Sequence, residues 1–156
     1  MNLDRFESAA RSAFSFLERD HGMTFVPDTA QERHAHFWVR YLTYRSAGRS
    51  FVQIELDDRD RAFNVLFGPL EGRELPPYPI FMERDDEPVL WFPLWAVLSA
   101  DGAEPPPFSF AEDARLDADL AAWAAALQTH ARRALAGDFA DLEELVRRVK
   151  REARWG

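Results

Sequence analysis

Between Phe37 and Phe67 apolar and polar residues alternate, and short polar turns interrupt the alternation. This run constrains the fold more than any other feature, because alternation is the geometry of a strand whose successive side chains leave opposite faces. Phe37, Val39, Tyr41 and Thr43 share one face of a first strand; Trp38, Arg40, Leu42 and Tyr44 share the other. Ser46-Ala47-Gly48-Arg49 reads as a tight turn. Val52, Ile54 and Leu56 then alternate with Gln53, Glu55 and Asp57, which predicts a half-buried strand with one wet face. A charged turn at Asp57-Asp58-Arg59-Asp60-Arg61 follows, and Phe63, Val65 and Phe67 alternate until Gly68-Pro69 stops the strand. In this register Ile54→Asp should unfold the chain, since it places a charge in the core, whereas Glu55→Lys should be nearly silent.

The apolar face of such a meander needs cover, and the flanks supply helices. Leu3, Phe6, Ala10, Ala13, Phe14 and Leu17 fall at helical spacing, with Gly22 as a stop, so one amphipathic helix is expected there. Phe16 lies off that stripe and widens the buried face. Met23 to Val26 reads as a short strand closed by Pro27. Leu70 to Glu87, with Pro76, Pro77 and Pro79, reads as an irregular excursion. Pro93 suits the first turn of a short helix, Leu94 to Ala100, that ends near Gly102. Pro105-Pro106-Pro107 reads as a stiff spacer. Leu116, Leu120, Trp123, Ala124, Leu127 and Ala131 predict a helix running to Gly137. Asp138 then reads as the N-cap of a last helix carrying Leu142, Leu145, Val146 and Val149 along one side. The expected fold is a single α+β domain over residues 1–156. Its antiparallel β-meander of about four strands is covered by an N-terminal helix and a C-terminal helical pair.

Composition narrows the function classes. With no cysteine, disulfides, thiolate zinc sites and thiol nucleophiles are excluded. A net charge of −8 argues against binding a phosphate backbone, so no nucleic-acid partner is expected, and a basic protein partner is favoured instead. The first residues lack a basic start and apolar run, and Pro88 to Leu98 is too short to span a bilayer. A cytoplasmic protein with no membrane partner is the expectation, either monomeric or a homodimer burying Trp91 and Trp95.

Few residues carry a chemical signal. His34 and His36 point to one side of a strand, as paired imidazoles do in some metal sites, but a third ligand is not evident and an exposed strand start explains them as well. His21 and His130 are distant in sequence. Asp57, Asp58 and Asp60 lack the spacing and glycine of a calcium loop, and Arg59 and Arg61 offset their charge. No serine lies in a nucleophile elbow, and no phosphate-binding glycine loop is present, so no cofactor is called for. The aromatic group Trp91, Phe92 and Trp95, with Tyr78 and Phe81 before it, suits either a ligand or partner patch built on Tyr78, Trp91 and Trp95 or a satellite core under the short helix.

Phe16-Leu17-Glu18 through Gly22, Val39-Arg40-Tyr41, Val52 to Arg59, Phe63 to Gly68 and Leu135-Ala136-Gly137-Asp138-Phe139 form an ordered series. In that order the chain resembles small bacterial α+β proteins of uncharacterised function, built as helix, glycine, strand meander, short helix and terminal helical pair. Some proteins of this kind sit beside toxins as immunity-type binders. The resemblance implies the fold more than the function and carries no active site with it; together with the net charge and the missing catalytic patterns it leads to a non-enzymatic binding protein as the expectation. The alternative reading is a ligand-binding or metal-dependent enzyme with its site near His34, His36, Trp91 and Trp95.

Overall fold

The computed structural model describes residues 1–28, 37–70, 89–111 and 113–155. Among these, β1 (Thr24–Val26), β2 (Val39–Arg45), β3 (Ser50–Asp57), β4 (Ala62–Pro69) and β5 (Phe92–Pro93) form one antiparallel sheet in which every strand neighbours the next. The expected meander is therefore present, extended by a two-residue fifth strand that pairs Phe92 with Phe67. Leu42, Ile54 and Val65 lie opposite one another across β2, β3 and β4, and Tyr44, Val52 and Phe67 form the next row on the same face. That row-by-row match brings the apolar half of each strand to one surface, as the alternation requires. Gly48, at φ 70°, makes the β2–β3 turn, and Ser50 Oγ ties this hairpin to the carbonyl of Leu135 at 3.0 Å.

Helices cover that surface from both ends of the chain. The N-terminal segment is two helices rather than one, α1 (Leu3–Ala13) and α2 (Phe16–His21). Phe14 and Phe16 stand on opposite sides of an unbroken helix, so only an interruption between them lets Phe14, Phe16 and Leu17 all become buried, as they are. Asn2 caps α1 by accepting the Asp4 and Arg5 backbone N–H groups, and Gly22, at φ 62°, closes α2. After β5 come α3 (Leu94–Ala100), a 3₁₀ turn at Asp113–Arg115, α4 (Leu116–His130), α5 (Arg132–Leu135) and α6 (Leu142–Trp155). The helix expected to reach Gly137 breaks at Ala131, which buries Ala134 and Leu135. Asp138 does not cap α6: its carboxylate receives Ala140 N–H and the Arg133 guanidinium, and α6 starts only at Leu142.

α1 lies against α4, α3 against α6, and their apolar faces join the sheet in one core from Phe6 to Val146. The triple proline leads into this core. Phe108 stacks on Phe63 at 4.2 Å, and Trp123 Nε1 donates to the Pro107 carbonyl at 3.3 Å.

The other face of the sheet corrects two expectations. Gln53 and Glu55 are each only 8% exposed, so β3 is buried on both sides. Thr43 Oγ1 donates to Gln53 Oε1 at 3.3 Å, and Gln53 Nε2 donates to Glu55 Oε1 at 2.9 Å. Alternation reports the polarity of a side chain, whereas exposure depends on what lies over it; a polar row that bonds within itself tolerates cover. Beside this row, Phe51, Leu66, Leu70 and Trp91 form a second apolar cluster. Gly68 also does not end β4, which pairs through to Pro69 opposite Ser50. A methyl group at Gly68 would overlap the Leu90 carbonyl oxygen and stand 2.9 Å from the Phe51 ring. Glycine is required there by close backbone approach.

Candidate functional site

α1 turns Asp4, Glu7, Ser8, Arg11 and Ser12 to one side, as residues three and four apart must be. With Glu18 of α2 they line an open groove of about 570 Å³. Three carboxylates against one guanidinium make its walls acidic. Asp4 is the more available of the two on α1, with its side chain 87% exposed against 16% for Glu7.

Beneath α1, β2 supplies two polar side chains to the face that is otherwise core. The Arg40 side chain is 12% exposed, and its guanidinium reaches Asp4 at 3.7 Å and Glu7 at 3.8 Å. Its Nε has no hydrogen-bond partner among the described residues. Tyr44, four residues on, packs its ring 5.3 Å from Phe25, its register partner on β1. The Tyr44 hydroxyl has no close hydrogen-bond partner among the described residues, but the Arg11 side chain stands near enough to act on it as a weak donor. Burial pushes the pKa of this phenol up to about 12; Glu18 adds to the rise and the nearby Arg11 opposes it. The Arg11 guanidinium itself lies over the Phe25 ring, 4.1 Å from its centroid. With its proton held this firmly, Tyr44 is a hydrogen-bonding group at neutral pH and not a nucleophile or base. The arrangement of acceptors around an aromatic face suits binding of a cation.

A second, smaller hollow of about 180 Å³ is lined by His130, Arg133, Asp138 and Asp141 among others. His130 Nδ1 bonds Asp101 Oδ2 at 2.7 Å, which joins the end of α4 to the end of α3. Arg133 bridges Asp138 and Asp141, each at 2.6 Å. The backbone N–H of Ala140 and the Arg133 guanidinium hold the Asp138 carboxyl below the usual carboxylate range. These charges satisfy one another.

Of the residues singled out from sequence, His34, His36, Tyr78 and Phe81 lie outside the described residues. Trp91 is buried on the second sheet face, its ring 4.5 Å from Phe51, whereas Trp95 is half-buried against the main core. Phe92 stacks on Phe67 and Phe139, so the aromatic group divides between two clusters. Among the described residues no group of three His, Asp or Glu side chains is placed to hold a metal ion. His21 meets Phe16 edge-on, and Asp57 accepts the backbone N–H groups of Arg59 and Asp60. No helix of the described residues is long and apolar enough to cross a membrane.

Sequence reasoning missed Tyr44, Arg40, Arg11 and Glu18 as one locus. A signal existed for Arg40, a cation in the row with Leu42 and Tyr44 on the covered face of β2. Comparison with protein-family models, with curated proteins and with solved structures finds no match for this chain.

Proposed function

We propose that this chain is a non-enzymatic binding protein, of the immunity-like kind, that meets a basic protein partner in the bacterial cytoplasm through the groove of α1. The observation that supports this reading is the wall of that groove, where Asp4, Glu7 and Glu18 face a single lining cation, Arg11. Open, acidic and solvated, it attracts positive charge at long range and screens poorly at low ionic strength. The net charge of −8 acts in the same direction.

The test is capture of basic proteins on the immobilised chain at low salt, repeated with the double variant Asp4→Lys, Glu18→Lys. A partner should be retained by the parent chain, released as salt rises, and lost in the variant. A partner indifferent to both salt and charge reversal would overturn the reading.

A further inference from the structure

We draw no further inference here: the strongest candidate, the outer edge of β1 with the exposed side chains of Val26 and Tyr41 on the sheet face beside it, is an unpartnered apolar strip, and nothing among the described residues shows what covers it.

Discussion

The Nε of Arg40 stands 3.8 Å from the Glu7 carboxylate, under a helix and on the core face of a strand. The pair joins β2 to α1 with most of the guanidinium out of water, so its partners matter more than those of a surface ion pair. Arg40→Leu should cost about 1–2 kcal/mol by leaving Glu7 without this cation. Arg40→Leu combined with Glu7→Gln should regain part of the loss, because the carboxylate that faced this cation is neutralised as well. Urea unfolding of the two singles and the double measures the coupling. Strict additivity would mean that the pair is not an energetic unit.

Tyr44→Phe removes a buried hydroxyl that has no close hydrogen-bond partner, only a weak donor in the Arg11 side chain. The change should therefore stabilise the chain by about 1 kcal/mol, a rise of roughly 2–4 °C in Tm. Thermal unfolding followed by circular dichroism reads this directly, and a fall in Tm would show that the hydroxyl has a bonded partner.

The phenol also makes a pH prediction. Its folded pKa is raised to about 12 from an ordinary value near 10, chiefly by burial and then by Glu18. The stabilisation tied to its protonated form is thus complete below about pH 10 and is lost as pH climbs through about 12. Absorbance at the phenolate band should show one tyrosine ionising late and together with alkaline unfolding. In Tyr44→Phe that late step should be absent.

Gly68 and Gly48 separate two reasons for glycine. Gly68→Ala drives a methyl into the Leu90 carbonyl and should cost about 3 kcal/mol, because backbone cannot easily move aside. Gly48→Ala has open space around it and pays only for φ 70°, about 1 kcal/mol. Denaturant midpoints of the two variants should differ in that order.

On β3, Ile54→Asp should leave the chain unfolded. Glu55→Lys, expected from the alternation to be nearly silent, should instead cost about 1–3 kcal/mol, because it breaks the Gln53 hydrogen bond and buries an ammonium. Far-ultraviolet circular dichroism and urea melts distinguish the two. A silent Glu55→Lys would restore the wet face.

The strands, their faces and the glycines of the turns were legible because the forces that set them act between close neighbours in sequence. Alternation grouped Leu42 with Tyr44, Ile54 with Val52 and Leu56, and Val65 with Phe63 and Phe67, while the rows they form across the sheet came from the pairing; Gly22 and Gly48 stood where positive φ was needed. The break between Phe14 and Phe16 was less legible, since each half is a good helix and only the core beneath them favours the interruption.

The sequence by itself determined an antiparallel meander roofed by helices, because side-chain period and turn chemistry are local properties. Tertiary structure alone decided that Gln53 and Glu55 would be covered, that Leu90 would cross Gly68, and that Arg11 and Glu18 would meet Tyr44 beside an acidic groove. Those relations join segments far apart in the chain, and burial is a property of what arrives over a residue rather than of the residue itself.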